Sequence, residues 1–226
     1  MSDPGERGSA TVVAIDGPAG AGKSAVGRRV AEKLGLPFLD SGLLYRAVTW
    51  LALERGVPST DLAALVSIAS LPDLDVVGGL VLLGDRDLGE FVHQPEILWS
   101  LGTISALAPV REAINTKQRA LARGGMVVAG RDIGTVVFPK TPFKFFLTAS
   151  VDERVRRRAA QFEKRGEPFD TEVMTREIST RDELDSTRAV APLRPAGDAF
   201  IIETEGMSLD GVVERVVERV REAATR

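Results

Sequence analysis

A glycine-rich octet, GPAGAGKS at residues 17–24, lies between a short β-branched run and a helical segment. It matches the G-x-x-x-x-G-K-[ST] pattern of a phosphate-binding loop, in which a strand leads in and a helix leads out. Glycines let backbone N–H groups approach phosphate oxygens without an intervening Cβ, and the positive end of the following helix faces the anion. The octet therefore predicts a strand–loop–helix unit that binds a nucleoside triphosphate.

The side chains of the loop predict the chemistry of this site. Lys23 supplies a mobile positive charge to the β and γ phosphates of ATP, and the Ser24 hydroxyl is a ligand for Mg²⁺. The motif alone does not separate kinases, GTPases and ATPases. The predicted ATP-binding residues of this segment are Gly17, Pro18, Ala19, Gly20, Ala21, Gly22, Lys23, Ser24 and Ala25.

Strand and helix signals alternate along most of the chain, which is typical of a parallel α/β sheet flanked by helices. Apolar, β-branched runs predict the strands, and apolar residues at helical spacing predict the helices. The predicted strands are 11–15, 38–39, 126–129, 144–149 and 200–202, and the predicted helices between and after them are 25–34, 43–55, 110–123, 152–164, 171–183 and 208–224.

One stretch departs from this alternation. After a short helix at 62–69, two apolar runs flank Gly78-Gly79, a pattern that predicts a β-hairpin. A hairpin does not fit inside a parallel βαβ core, so we expect residues 62–105 to be an insert and residues 11–61 and 106–226 to form the core. Residues 1–10 are expected to be frayed. Trp50 and Trp99 are interpreted as packing residues.

Composition excludes several functional classes. The 29 basic and 32 acidic residues give a net charge of −3, which argues against a dedicated duplex-DNA binder, and neither DNA nor RNA is expected as a partner. The chain has no cysteine and one histidine, so thiolate and histidine-based zinc sites are excluded. No apolar run approaches the roughly 18 residues that span a bilayer, and the N-terminus lacks the apolar core of a signal peptide. We therefore expect a cytoplasmic protein with no membrane partner.

The remaining motifs favour a small-molecule kinase among P-loop proteins. The guanine-binding Asn-Lys-x-Asp motif of GTPases is absent, because the only asparagine, Asn115, precedes Thr116. A kinase needs a second anion site for the acceptor and arginines that screen the transferring group. Arginines follow each core strand and are available for that role.

The chain resembles the bacterial-type cytidylate kinases in several ordered blocks. These are IDGPAGAGKS at 15–24, LDSGLLYR at 39–46, VRE at 110–112, QR at 118–119, GRDIGTVVFP at 130–139, RD at 181–182 and DSTRAVAP at 185–192. The resemblance implies a monomer that transfers the γ-phosphoryl group of ATP to CMP or dCMP. It also implies a five-stranded parallel sheet flanked by helices, a nucleotide-binding insert near residues 62–105 and a lid near residues 152–168.

The resemblance further implies roles for individual residues. Arg111 and Asp132 resemble the cytosine-binding pair, and Arg46 lies near the acceptor phosphate. Among the lid arginines, Arg157 is assigned to ATP, while Arg154 and Arg158 join Lys23 and Arg131 as catalytic residues. The complete acceptor set is Ser41, Arg46, Arg111, Arg131, Asp132, Arg181, Asp185 and Arg188.

Simpler explanations exist for these residues, and other functions stay open. The lid arginines could form a solvated helix face, and Asp185 and Arg188 lie one helical turn apart and could pair with each other. A P-loop kinase for another acceptor, UMP or a hydroxy acid, is an alternative, with Asp40 or Asp132 as general base. A non-catalytic nucleotide-binding module is another, although such a module is expected to have lost Lys23 or the lid arginines.

Overall fold

A computed structural model describes residues 11–77 and 79–224; the predicted fraying of residues 1–10 lies outside the described residues. Across the described ranges, none of the helices has both the length and the apolarity needed to cross a bilayer. The elements, in chain order, are β1 (Val12–Asp16), α1 (Lys23–Leu34), β2 (Phe38–Asp40), α2 (Ser41–Glu54), α3 (Leu62–Ala69), β3 (Leu74–Val77), β4 (Leu80–Leu83), β5 (Arg86–Asp87), α4 (Pro95–Ala106), α5 (Ala108–Leu121), β6 (Met126–Gly130), a π-helical turn (Ile133–Val137), β7 (Phe143–Thr148), α6 (Val151–Arg165), α7 (Thr171–Thr187), β8 (Phe200–Glu203) and α8 (Leu209–Ala224).

The main sheet has five parallel strands in the order β2-β6-β1-β7-β8, which confirms the predicted α/β fold. Strands β1 and β6 are buried along their whole length, as expected for continuous apolar runs covered on both faces. The register aligns Asp16 with Gly130 and Asp40 with Ala129. The carboxyl ends of three strands therefore meet at one edge, where ligands of parallel α/β sheets bind.

Two apolar clusters cover the faces of this sheet. Helices α1 and α8 pack on one face, and the valine stripe predicted for the last helix is buried there. Helices α2 and α5 pack on the other face. The five valines of the stripe are Val212, Val213, Val216, Val217 and Val220.

Between helices α3 and α4, the strands β3, β4 and β5 form a second, antiparallel sheet. The sequence predicts only its hairpin, because β5 is two residues long. Trp50 stacks on Phe91 with ring centroids 4.8 Å apart, and the Arg86 guanidinium lies 4.7 Å from the Trp50 ring, so the stretch is tied to α2. The packing role predicted for Trp99 is wrong, since its side chain is 87% exposed.

The phosphate loop passes unusually close to β7. Gly17 has φ 149°, and a Cβ at this position would lie 2.1 Å from the carbonyl oxygen of Leu147. Only glycine fits such a contact. The loop therefore leaves β1 pressed against the neighbouring strand and enters α1 at Lys23.

Candidate active site

Lys23 lies inside the curve of the phosphate loop. Its buried Nζ donates to the carbonyl oxygen of Pro18 at 2.6 Å. Burial, and then the nearby Arg131, hold the pKa of Lys23 well below its usual value, while Asp40, Asp16 and Asp185 oppose that shift. The ammonium group is thus available to phosphate oxygens from within the loop.

A cavity of about 500 Å³ opens beside the loop. The Arg157 guanidinium closes one side, because it donates to the Thr204 hydroxyl at 3.0 Å and the Thr204 carbonyl at 2.7 Å. Met207, Leu209 and Val212 contribute an apolar surface to the same cavity. A phosphate-binding segment and an apolar slot therefore share one space. The resemblance assigns Arg157 to ATP, whereas it does not predict a role for Thr204 or the apolar residues of this cavity.

The three lid arginines have different surroundings. Arg154 is buried against the loop, where Nη1 donates to the Ala19 carbonyl at 3.0 Å and Nη2 pairs with Asp182 at 2.5 Å. Arg158 is exposed at the rim of the cavity and donates to Gln161. A solvated helix face is therefore the wrong explanation for Arg154. Its contacts brace the loop, and its predicted catalytic role stays a prediction.

Arg111 and Asp132 form a buried ion pair at the end of β6. Arg111 Nη2 lies 2.5 Å from Asp132, and Nη1 donates to the Ser105 carbonyl at 2.8 Å. Three buried groups of this pocket have no hydrogen-bond partner among the described residues. They are Nε of Arg111 itself, Nη2 of Arg188 and the Tyr45 hydroxyl. Buried unpaired polar groups are costly and rare in proteins. We therefore expect a polar ligand to bind here.

Asp185 lies close to three arginines, one directly after β6, one on α7 and one directly after α7. Arg131 Nε lies 2.9 Å from its carboxylate, and Arg181 and Arg188 each lie 3.6 Å away. Burial alone would raise the pKa of Asp185, but these guanidinium groups outweigh it and hold the pKa below its usual range. The pair between Asp185 and Arg188, considered as a simpler explanation of these residues, is present within this larger cluster. One carboxylate cannot balance three guanidinium groups, so the cluster retains capacity for an anion.

Asp40 connects the loop to the start of α2. Its carboxylate accepts from the Gly42 amide at 3.0 Å and from the Ser24 hydroxyl at 2.5 Å. Ser41 is buried beside Gly130, and Arg46 donates to the Val92 carbonyl at 3.2 Å. Asp40 had been considered only as a general base. Its position at the end of a strand was the available signal for its role beside Ser24.

Replacing Asp185 with asparagine is expected to destabilise the fold by about 1.5–3 kcal/mol, because it removes the buried charge that pairs with three partly buried guanidinium groups. The pKa of Asp185 is lowered in the folded state, so its stabilisation is present above the usual carboxyl pKa and is lost as pH falls through the lowered value. Urea unfolding at neutral and acidic pH measures both effects. Asp210→Asn, which removes the exposed pair with Arg29, should change stability by less than about 1 kcal/mol.

A phosphate loop beside a nucleotide-sized cavity, with a second basic pocket at the same sheet edge, defines the class of P-loop proteins that hold two anionic ligands. The chain belongs to the cytidylate kinase family, whose family model matches residues 13–222.

Relatives agree with this assignment, and a solved structure shares the fold. The chain is 44% identical over 209 residues to "Cytidylate kinase" of Desulforamulus reducens, covering 91% of this chain and 94% of that protein. It is 46% identical over 217 residues to "Bifunctional pantoate ligase/cytidylate kinase" of Parasynechococcus marenigrum, covering 93% of this chain and 43% of that protein. The chain thus spans less than half the length of such bifunctional relatives. An uncharacterised protein from Eubacterium ventriosum shares the fold, with a TM-score of 0.52 at 14% identity over 94% of this chain and 98% of that one.

Proposed function

We propose that the protein transfers the γ-phosphoryl group of ATP to CMP or dCMP. The observation that carries the proposal is the buried Arg111–Asp132 pair, which lies beside unpaired donors at the same sheet edge as the phosphate loop. Cytosine has an exocyclic amine donor next to ring acceptors. A carboxylate can accept from the amine while a guanidinium donates to the acceptors, so the pair matches the cytosine edge.

The same pair discriminates against uracil, which carries a carbonyl where cytosine carries its amine. The Asp132 carboxylate would then face an acceptor and lose its hydrogen bond. A site built around hydrogen bonds rejects such a mismatch by a free energy on the order of several kcal/mol. We therefore expect CMP and dCMP to be used in strong preference to UMP.

Arginines on three elements bind the acceptor in this proposal. Arg46, Arg131 and Arg188 screen its phosphate, Arg181 and Asp185 contact the sugar or phosphate, and Ser41 lies beside the base. A CMP phosphate oxygen attacks the γ-phosphorus of ATP, the bond to the β–γ bridging oxygen breaks, and ADP leaves with that electron pair. No side chain acts as nucleophile, so catalysis consists of positioning and charge stabilisation.

The donor side uses the phosphate loop with Lys23 on the β and γ phosphates, while Arg157 and the apolar residues of the cavity hold the base. The Ser24 hydroxyl would hold Mg²⁺. The Asp40 carboxylate lies 2.5 Å from that hydroxyl, and it is the kind of oxygen ligand that this ion prefers. When bound, Mg²⁺ neutralises charge on the phosphate oxygens. Arg158, at the cavity rim, and Arg131 stabilise the charge of the transferring group.

Two segments complete the proposed enzyme. Residues 62–105 act as the nucleotide-binding insert, which is supported by the bond between the Val92 carbonyl and Arg46. Residues 152–168 act as the lid, supported by the position of Arg157 and Arg158 at the cavity. We further propose a cytoplasmic monomer; sedimentation at enzyme-assay concentration tests the oligomeric state.

A hydroxy acid is a less suitable acceptor. Its hydroxyl would need a general base, and both candidates are already engaged: Asp40 accepts from Ser24 and Gly42, while Asp132 pairs with Arg111. A purely nucleotide-binding role is disfavoured because Lys23 and the lid arginines are all present.

An acceptor panel tests the proposal. ADP release from ATP and Mg²⁺ is measured with CMP, dCMP, UMP, AMP and shikimate, one at a time. We expect rapid release with CMP or dCMP and at least about 100-fold lower kcat/KM with UMP, a ratio that follows from a missing hydrogen bond in a polar site. CMP-dependent release no higher than the ATP-only background would overturn the assignment.

A further inference from the structure

The last residue of β1, Asp16, is a buried carboxylate that the proposed mechanism does not use. Its side chain reaches across to the segment after β6, where Oδ1 accepts from the Ile133 amide at 2.8 Å and Oδ2 accepts from the Gly134 amide at 2.7 Å. The residue is 5% exposed. One carboxylate therefore joins the strand that leads into the phosphate loop to the segment that follows Arg131 and Asp132.

The segment held by Asp16 is the π-helical turn. Its amides at Val137 and Phe138 bond to carbonyls five residues back, at 3.1 Å and 2.7 Å. The first amides of any helical turn have no partner within the turn itself. Asp16 supplies the missing acceptors from another strand, as an N-cap side chain does from within its own helix. The turn begins immediately after Asp132, so a shift of the turn would move the backbone that carries the Asp132 carboxylate.

Burial disfavours a charged carboxylate at this capping position. Burial raises the pKa of Asp16 to about 6, although the amides of Gly134 and Ile133 oppose that shift; Asp132 raises it further and Lys23 lowers it. The charged groups facing Asp16 are thus Lys23 from α1 and Asp132 from the end of β6. From β7, carbons of the Lys144 side chain lie near Gly134, while its ammonium is held by Asp198 and the Pro139 carbonyl.

We propose that Asp16 is a positioning residue that sets the orientation of Asp132 toward the base of the acceptor nucleotide. This inference rests on the proposed function of the acceptor site. The ionised carboxylate accepts strongly from both amides through its two charged oxygens, whereas protonation turns one oxygen into a donor hydroxyl and a much weaker acceptor. The deprotonated form therefore holds the turn in place, and the acceptor site weakens as Asp16 is protonated.

The test compares Asp16→Asn with the wild type and with the matched control Asp210→Asn, an exposed carboxylate on α8. An asparagine has one acceptor oxygen and turns an amide N–H₂ toward the second backbone donor. We expect KM for CMP to rise roughly tenfold above pH 6, with KM for ATP changed by at most about twofold, since one buried amide is left unpaired. Asp210→Asn should match the wild type.

The pH dependence separates positioning from a general loss of structure. The ratio of KM for CMP in Asp16→Asn to that in the wild type should approach one as pH falls through about 6. Protonation of the CMP phosphate affects both proteins equally and cancels in this ratio. A ratio that stays constant with pH, or an equal loss of ATP and CMP affinity, would overturn the inference.

A measurement on the wild type tests the inference even if Asp16→Asn folds poorly. In the wild type, the backbone amide proton shifts of Ile133 and Gly134 should titrate together with a midpoint of about 6. The Gly211 amide, which donates to the Ser208 hydroxyl, should not follow that midpoint. Absence of the titration at Ile133 and Gly134 would also overturn the inference. No phosphorylation of CMP by the wild type would instead reject the proposed function, because the amide titration needs no substrate.

Discussion

Replacing Lys23 with methionine is expected to lower kcat by roughly 10²- to 10³-fold, the usual effect of removing one preorganised electrostatic contact to a transferring group. Methionine keeps most of the aliphatic stem, so the loop should retain its packing. The buried ammonium has a lowered pKa because burial disfavours its charge, and removing that charge relieves the desolvation penalty. We therefore expect the melting temperature to stay the same or rise while catalysis is lost.

Initial rates at saturating ATP and CMP measure this effect, together with KM for each nucleotide. Lys33 offers a matched control, because it lies on the same helix α1 and pairs with Glu214 at the exposed surface. Lys33→Met should leave kcat within about twofold of the wild type, as exposed pairs contribute little. A normal kcat in Lys23→Met would show that the lysine serves only to hold the loop through the Pro18 carbonyl.

Replacing Asp132 with alanine is expected to raise KM for CMP roughly 10- to 100-fold, the factor that corresponds to losing a hydrogen bond of about 1.5–3 kcal/mol to a charged group. KM for ATP should change little, because the Asp132 side chain pairs with Arg111 and not with the phosphate loop. The variant also leaves Arg111 buried without its counter-charge, which costs about 3–5 kcal/mol of folding free energy. Enzyme assays should therefore be run well below the melting temperature of the variant.

Asp132→Asn separates base recognition from the ion pair. The asparagine oxygen can still accept from Arg111, while its N–H₂ group can donate to the uracil carbonyl. The ratio of kcat/KM for CMP to that for UMP should fall, with a smaller loss of stability than in Asp132→Ala. If Asp132→Ala weakens ATP and CMP to the same extent, Asp132 serves the metal or the fold, and the base-recognition role is wrong.

Much of the fold follows from patterns within the sequence. The phosphate loop with its flanking strand and helix is a local motif, and the valine stripe of α8 is a simple helical period, so both were predicted to within about two residues. The antiparallel hairpin was found from Gly78-Gly79. The short strand β5 was missed because two residues carry no period, and α4 was missed because its exposed Trp99 obscures the apolar face.

The sequence predicts which residues belong to the candidate site, but it does not predict which of them contact one another. The resemblance identified Arg154 and Arg157 as lid residues. Their partners Ala19 and Thr204 lie 135 and 47 residues away along the chain, and no spacing rule predicts such pairings. For Asp16, the sequence shows only that it belongs to the block that precedes the phosphate loop. Its partners lie in a π-helical turn, whose repeat matches neither the strand nor the α-helix period.

The arginine cluster around Asp185 also bears on how quickly an acceptor is captured. The chain as a whole carries a net charge of −3, yet positive charge collects at this edge of the sheet. Burial lowers the pKa of Arg46, and the nearby charges of Arg181, Arg158 and Arg131 lower it further. A cleft lined by one sign of charge focuses the electric field and guides oppositely charged ligands during diffusion. An acidic protein thus presents a positive entrance to dianionic nucleotides. The speed of their arrival, separately from their affinity, depends on the ionic strength of the solution.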